Sequence, residues 1–229
     1  MNNIDPVIQS DLLNFIPFIT HGFLTRQFGK EQAKGISVRH ICRIKQVHGN
    51  DVVLVESEKD LEGTQESSAD IALTQIPHVA LTISTADCVP LLFCDPTKKV
   101  IAAAHAGWRG TAKNVAQTTV QALQKRFHCE AQNIVVAIGP AIQRCCYEVD
   151  IHVYDQFLQK DFFSPVTGKS QKWMLSLPHV NRYQLISSGI LDGNIWMSNL
   201  CTACNLSQFY SYRKEGEYAG RQWSFIALR

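Results

Sequence analysis

Long apolar runs are absent from this sequence of 229 residues. A membrane-spanning helix needs about 18 consecutive apolar residues, and no stretch approaches that length. Residues 1–18 have neither the positively charged region nor the small-residue cleavage site of a secretory signal peptide. We therefore expect a cytoplasmic protein that does not associate with membranes.

An excess of charge of either sign is also missing. Lysine and arginine total 22 against 20 aspartate and glutamate residues, so the formal net charge is +2 at pH 7. No run of basic residues is interleaved with aromatic residues. Because nucleic-acid binding depends on a concentrated positive surface, this composition argues against a nucleic acid as the partner.

Two metal-binding patterns are absent. The eight histidines include no His-x-His pair, the grouping that multicopper electron transfer needs. Cys201 and Cys204 form a Cys-x-x-Cys pair without a second such pair, so these thiols are expected to be structural and not to form a four-thiolate zinc site. Cys145 and Cys146 are adjacent and would point to opposite faces of an extended segment, so neither is expected to be catalytic.

Short apolar runs, partly β-branched and bounded by turn residues, predict strands at residues 52–55, 79–83, 90–94, 100–104, 134–138 and 223–228. Thr111 is the predicted N-cap of a helix that ends near His128. Asp150 is expected to cap a helix at 151–160, and Gly189 to end one at 181–188. Without a regular βαβ repeat, we expect one α+β domain over residues 1–229, a mixed β-sheet sandwich flanked by helices.

A cysteine and a histidine flank the hairpin predicted from residues 90–94 and 100–104. Antiparallel pairing about a turn at residues 95–99 would place Cys88 opposite His105, with Cβ atoms about 5 Å apart. His48 stands just before the strand at 52–55. Two imidazoles and one thiolate would give Zn²⁺ three ligands and leave a fourth position open, as in a catalytic site. A packed thiol and satisfied polar histidines are the alternative, and spacing alone does not decide.

The same pair supports a second chemistry. Cys88 as nucleophile and His105 as base would make a cysteine hydrolase or amidase. Asp87, adjacent to Cys88, is a candidate acid that orients a ligand histidine or moves a proton, unless it merely caps a strand end.

Arginines provide candidate anion contacts. Arg109 lies in GWRG, where glycines permit close backbone approach, and a helix N-terminus near Thr111 and Ala112 would favour an anion. Phosphate is the natural ligand beside a metal, and Arg26 and Arg213 are further candidates to bind it. Each arginine alone is also explained as a solvated or salt-bridged surface charge.

Six segments carry a resemblance to a known family, in this order: KQVHGNDV, SADIALT, TADCVPLLFCD, AAAHAGWRGT, AIGPAIQRCCYEVD and LCTACNLSQFYSYRKEGEYAGR. The chain resembles the YfiH-like family, also called the polyphenol oxidase or laccase-domain family and described as purine nucleoside phosphorylases. The match runs from His21 to the last residue, and the combination of TADC with HAGWRG is highly specific.

The resemblance implies a zinc site that carries over onto His48, Cys88 and His105. It implies phosphorolysis of adenosine, inosine and methylthioadenosine, deamination of adenosine, a homodimer, and a fold related to the catalytic domain of a bacterial toxin deamidase. Alternatives are a copper-dependent phenol oxidase, a cysteine–histidine hydrolase acting on a peptidoglycan precursor, and an inactive binding partner in wall synthesis.

Two departures from the family pattern concern the pocket. Between Arg26 and Lys45 the family has a longer segment with a Gly-Gly-x-Ser stretch, so part of the pocket wall is expected to be missing here. The family's paired arginines appear as Arg213 and Lys214, and lysine does not supply the bidentate contact of a second guanidinium.

Overall fold

The computed structural model describes residues 5–29, 38–158 and 160–229. Its strands are β1 (Val7–Ile8), β2 (Ile19–Leu24), β3 (His40–Cys42), β4 (Val52–Val55), β5 (Ile71–Thr74), β6 (Val79–Thr85), β7 (Val89–Asp95), β8 (Val100–Ala106), β9 (Val135–Ile138), β10 (Glu148–Asp150), β11 (Phe163–Pro165), β12 (Lys172–Leu175), β13 (Ile195–Met197) and β14 (Gln222–Leu228). Its α-helices are α1 (Asp11–Asn14), α2 (Trp108–Ala112), α3 (Val115–Phe127), α4 (Ile151–Tyr154), α5 (Leu177–Ser187) and α6 (Tyr212–Glu215). In the described ranges, every helix is too short or too polar to cross a bilayer.

Two mixed sheets pack face to face and confirm the predicted α+β class. The outer sheet has the order β1-β2-β14-β6-β3, and the central sheet has the order β13-β9-β7-β8-β5-β4. The pairs β3–β6, β13–β9 and β4–β5 are parallel, and the other pairs are antiparallel. A third, separate sheet is small and antiparallel and has the order β10-β12-β11. The relation to a toxin deamidase domain stays a prediction.

Side chains along β7 point alternately to the two faces of the central sheet and contribute to two hydrophobic cores. Leu92 packs between the sheets, in a cluster with Leu81 of the outer sheet. Its neighbours Leu91 and Phe93 face the other way and pack in a cluster with Val120 of α3. Burial on both faces explains why β7 and β8 read as continuous apolar runs and not as alternating ones. The layers are therefore outer sheet, central sheet and helices.

The helix predicted to begin at Thr111 begins later. Thr111 lies inside α2 and is fully buried, where its hydroxyl accepts a hydrogen bond from the Asn181 amide at 3.1 Å. Asn114, with φ +61°, instead precedes α3. The chain thus forms two consecutive helices where the apolar spacing predicted one.

The other two predicted helices are displaced. Asp150 caps α4 as expected, because its carboxylate accepts from the His152 and Val153 N–H groups, but this helix ends at Tyr154 instead of residue 160. Helix α5 begins at Leu177, before the predicted residue 181, with a proline in its first turn. Gly189, with φ +92°, follows its C-terminus as predicted.

The hairpin of β7 and β8 has a different register from the predicted one. His105 lies opposite Pro90, and not opposite Cys88. Asp95 pairs with Val100, and its carboxylate accepts hydrogen bonds from two N–H groups of the tight turn at residues 96–99. Because alternate residues share a face, a shift by two positions keeps His105 on the same side as Cys88.

His21 is buried within β2, away from the cavity described below. It is 2% exposed, and its Nε2 accepts a 2.8 Å hydrogen bond from the Ser10 N–H at the start of α1. Burial lowers the pKa of His21 from 6.5 to about 4. The neutral imidazole is therefore the form that the fold requires.

Protonation of His21 is expected to make the protein acid-sensitive. Since the unfolded chain binds this proton near pH 6.5 and the folded chain only near pH 4, the stabilisation is complete above pH 6.5 and decreases as the pH falls toward 4, by up to about 3 kcal/mol. Urea unfolding at pH 7.5 and pH 5 measures this loss. His21→Gln, whose neutral amide oxygen can reach the position of Nε2, should show a smaller pH dependence than the wild type. Equal dependence in both proteins would contradict this role.

Candidate active site at the mouth of the sandwich

Three predicted residues converge at one end of the sandwich. His48 lies in the turn before β4, Cys88 in the bend before β7, and His105 near the end of β8. Their ligand atoms all lie within 4.8 Å of one another. The two imidazole rings stand edge to face with centroids 4.8 Å apart. His105 is 2% exposed, whereas Cys88 is half-buried and His48 is exposed, so the cluster has an open side.

Asp70, which sequence reasoning did not select, positions both histidines. Its fully buried carboxylate lies 2.7 Å from Nδ1 of His105. It also accepts hydrogen bonds from the backbone N–H groups of Val47, His48 and Gly49, at 3.2, 3.0 and 2.6 Å. A proton on Nδ1 of His105 would be held by Asp70, which leaves Nε2 free to act as a ligand or a base.

The charges of the cluster stabilise one another. Although burial opposes its charged form, His105 has its pKa raised to about 9 by the Cys88 thiolate and by the bond to Asp70. Burial likewise opposes the thiolate of Cys88, but the two histidines lower the pKa of this thiol to about 6. Against the effect of burial, the bonds from His105 and Gly49 keep the pKa of Asp70 below its ordinary value. Without a metal, the cluster therefore favours a thiolate beside an imidazolium.

Two glycines of the HAGWRG segment permit the close packing. A Cβ at Gly107 would lie 2.8 Å from Cδ2 of His48 and 3.2 Å from Sγ of Cys88. A Cβ at Gly110 would lie 2.7 Å from the backbone oxygen of Gly49. Any larger residue would therefore displace the His48 turn or fill the space between the ligand atoms.

The cluster forms part of the wall of a cavity of about 690 Å³. Both sheets contribute to this cavity, through Ser84 and Thr85 of β6 and His105 of β8. Its remaining lining residues are Ile44, Gln46, His48, Ala86, Asp87, Cys88, Trp108, Arg109, Ile142, Tyr147, Tyr212, Arg213, Arg221 and Trp223. The cavity thus combines the ligand cluster with three guanidinium groups and several aromatic rings.

Two of the three predicted phosphate-binding arginines line the cavity. Arg109 is exposed, and its guanidinium lies 4.3 Å from the centre of the Trp108 ring. Arg213 donates from Nη1 to the backbone oxygen of Glu148 at 2.9 Å and lies over the Tyr147 ring. Both guanidinium groups are therefore oriented by their neighbours.

The structure does not support the assignment of Arg26 to phosphate. This residue does not line the cavity; its Nη2 is 2.7 Å from Oε1 of Glu215 and its guanidinium lies over the Tyr210 ring. Its charge is already paired with a carboxylate. Arg221, which sequence reasoning missed, lines the cavity instead.

The predicted anion site at a helix N-terminus near Thr111 is also not formed. The Thr111 N–H donates to the Gly107 oxygen at 2.8 Å inside the short helix α2.

Asp87 lines the cavity, but its side-chain hydrogen bonds go to residues of the C-terminal segment and not to a ligand histidine. Its carboxylate accepts hydrogen bonds from the Thr202 and Ser211 hydroxyls, at 2.6 and 3.0 Å, and from the Arg213 N–H at 2.7 Å. The histidine orientation expected of Asp87 is performed by Asp70. Asp87, at φ +86°, instead ties the C-terminal segment to the cavity.

Sequence signals for the missed residues were weak. Asp70 precedes an apolar strand, and a carboxylate at that point is also an ordinary strand boundary. Tyr147, Arg221 and Trp223 carry no spacing relation to the histidines in the chain. Only the pairing of β6 with β14 and the path of the C-terminal segment bring Trp223 and Arg221 to the cavity.

Comparisons with known proteins give a consistent family assignment. Residues 26–229 match the family described as multi-copper polyphenol oxidoreductase laccase. Purine nucleoside phosphorylase YlmD of Geobacillus stearothermophilus is 36% identical over 200 residues, which cover 83% of this chain and 73% of that protein. Adenosine deaminase RL5, from an unknown prokaryotic organism, is 31% identical over 196 residues, covering 82% of this chain and 71% of that protein.

A solved structure has the same fold. The crystal structure of the hypothetical protein YfiH of Bacillus licheniformis superposes with a TM-score of 0.89 at 30% sequence identity, covering 98% of this chain and 97% of that one. The chain therefore belongs to the YfiH-like, laccase-domain family.

Proposed function

We propose that the protein is a zinc-dependent purine nucleoside phosphorylase that also deaminates adenosine. Relatives named purine nucleoside phosphorylase and adenosine deaminase support the two activities. The observation that carries the proposal is the convergence of His48, Cys88 and His105 in one cavity with Arg109 and Arg213. We propose adenosine, inosine and methylthioadenosine as substrates and the cytoplasm as location; a homodimer stays a prediction.

The donor set fits Zn²⁺. Two imidazole nitrogens and one thiolate are ligands that zinc accepts, and three protein ligands are typical of catalytic sites. The bond from His105 Nδ1 to Asp70 is the outer contact that ligand histidines commonly make. Zn²⁺ bound there would act as a Lewis acid and lower the pKa of a water molecule to about 7.

In phosphorolysis an oxygen of phosphate forms a bond to C1′ of the ribose, the bond from C1′ to N9 breaks, and its electron pair leaves with the purine. The products are ribose 1-phosphate and the free base, which takes up a proton. Arg109 and Arg213 would bind the phosphate and hold it for attack. In deamination, water adds at C6 of adenosine and ammonia leaves, with no need for the phosphate contacts.

Aromatic side chains of the cavity suit a purine. Trp108 and Trp223 line the cavity and offer ring faces on which a base can stack. Burial raises the pKa of Tyr147 above its ordinary value, so its hydroxyl stays protonated and can donate a hydrogen bond. These groups would bind the base while the arginines bind the phosphate.

Incubation of zinc-loaded protein with adenosine tests this function. Adenine should form only when phosphate is present, together with ribose 1-phosphate, and inosine should form with or without phosphate. Arg109→Ala should raise the KM for phosphate at least tenfold and leave inosine formation nearly unchanged, because only phosphorolysis uses the anion contact.

Arg26→Ala is the matched control, since it removes an arginine that lies outside the cavity and is paired with Glu215. Its KM for phosphate should equal that of the wild type. If the wild type forms neither adenine nor inosine, the proposed function is refuted. If Arg109→Ala and the wild type have the same KM for phosphate, the role of Arg109 is refuted.

A second candidate function is favoured by one observation. Cys88, His105 and Asp70 also resemble a catalytic triad of thiol, imidazole and carboxylate. The pKa of the Cys88 thiol is lowered to about 6 by the two histidines. This triad is the arrangement of a cysteine hydrolase, in which the thiolate attacks a carbonyl carbon and the imidazole transfers the proton to the leaving group. A peptidoglycan precursor with an amide bond would be its substrate class.

Alkylation of Cys88 distinguishes the two functions. In protein stripped of metal, the iodoacetamide rate at Cys88 should rise through about pH 6 and level off by about pH 7, because the thiolate is then fully formed. Mass spectrometry of the labelled peptide measures the rate, with Cys88→Ser as control. If Cys88 is a zinc ligand, zinc should slow alkylation at least tenfold. Rapid alkylation of the zinc-loaded protein that substrate blocks would favour the hydrolase instead.

Copper is the alternative ion at this site, as the family description suggests. Two histidines and one cysteine are also the ligands of blue-copper sites, whose weak axial ligand is a methionine, a glutamine or a backbone oxygen. We propose zinc because the sequence has no His-x-His pair of the kind that multicopper electron transfer needs.

A further inference from the structure

Four cysteines outside the active site form a second cluster. Sγ atoms of Cys145, Cys146, Cys201 and Cys204 all lie within 4.8 Å of one another. The Cys204 sulfur is 3.5 Å from that of Cys145 and 3.3 Å from that of Cys146. Cys145 and Cys146, expected to diverge in an extended segment, thus converge beside Cys201 and Cys204 and supply the partners that a second Cys-x-x-Cys pair would have supplied.

Local backbone geometry explains the convergence. Residues 144–146 form a turn, and the N–H groups of Cys146 and Tyr147 both donate to the Gln143 oxygen. The opposite-face rule for neighbouring residues holds for extended chain and not for such a turn. Residues 202–204 form a second turn, which brings Cys204 back beside Cys201.

The sulfur positions fit a tetrahedral metal site. With a zinc–sulfur distance of about 2.3 Å, the sulfurs of a four-thiolate site lie about 3.8 Å apart. The two distances at Cys204 are close to this value, and both exceed the roughly 2.05 Å of a disulfide bond. The Gln143 N–H points at the Cys201 sulfur at 3.4 Å, a contact that stabilises a thiolate.

We propose that Cys145, Cys146, Cys201 and Cys204 bind one structural Zn²⁺ as a four-thiolate site separate from the active site. Four protein ligands leave no position for substrate, which is typical of structural zinc. On binding, each thiol releases its proton to solvent and donates an electron pair to the ion, and no oxidation occurs.

This ion would fix two segments that supply the cavity. Cys146 precedes Tyr147, which lines the cavity, and its backbone oxygen accepts from Arg213 at 3.4 Å. Cys201 precedes Thr202, whose hydroxyl donates to Asp87. The site therefore acts as a cross-link that holds Tyr147 and the Asp87 contacts in place, without touching the substrate.

Zinc content and thiol reactivity of His48→Ala/His105→Ala test the proposal. This variant lacks two ligands of the active site but keeps all four clustered cysteines, so the zinc that remains belongs to them. We expect about two zinc ions per chain in the wild type and about one in the variant, measured by mass spectrometry of the metal. A chelator should raise the number of reactive thiols in the native variant by four.

Cys201→Ser/Cys204→Ser, made in the same background, should contain no zinc. Cys129→Ala in that background removes a cysteine outside the cluster and should keep its zinc ion. If the serine variant does not fold, the zinc and thiol counts of His48→Ala/His105→Ala still decide. A zinc-free His48→Ala/His105→Ala protein, or disulfides between the four cysteines in its peptide map, would overturn the proposal. Loss of nucleoside activity with one zinc retained leaves this site standing and bears on the active site alone.

Discussion

The buried carboxylate of Asp70 makes four short contacts, three with backbone N–H groups of the turn at residues 47–49 and one with the imidazole of His105. One side chain thereby fixes both histidines of the cluster. Such a carboxylate has to be fully bonded, because an unpaired charge without solvent contact would be costly. The turn can hold His48 at φ +61° since Asp70 bonds the turn on both sides of it.

The sandwich places this arrangement where substrate can reach it. The central sheet is buried on both faces, so its hairpin is held rigidly by the outer sheet and by the helices. Ser84 and Thr85 at the end of β6 and His105 near the end of β8 line the cavity. Asp87 accepts hydrogen bonds from Ser211 and the Arg213 N–H of the C-terminal segment, and Arg213 lines the cavity. A site built on strand ends is more precisely positioned than one carried by loops alone.

Structural features that depend on a few neighbouring residues could be predicted from the sequence. The central strands and the cap at Asp150 follow from patterns within a few positions, and the family motifs supply His48, Cys88 and His105. The hairpin register was wrong because it depends on how Asp95 closes the turn. Part of the shortened segment after Arg26, residues 30–37, lies outside the described residues, so its effect on the pocket stays a prediction.

Contacts between segments that lie far apart in the chain could not be predicted from the sequence. Arg26 and Glu215 are 189 positions apart, and no local sequence pattern indicates that this arginine forms an ion pair with Glu215. The four-cysteine cluster joins segments 58 and 59 positions apart. In both cases the deciding information is the path of the C-terminal chain over the sheet ends, which hydrophobic periodicity does not encode.

Zinc affinity of Asp70→Asn is the direct measure of whether Asp70 organises the active site. It should be determined by competition with a chromophoric chelator in a protein lacking Cys201 and Cys204. Loss of the carboxylate should weaken zinc binding about 10- to 100-fold, as for other outer-shell partners of ligand histidines. Asp87→Asn, which alters a carboxylate beside Cys88 that bonds neither histidine, should bind zinc as the parent does. Unchanged affinity in a folded Asp70→Asn protein would contradict the role assigned to Asp70.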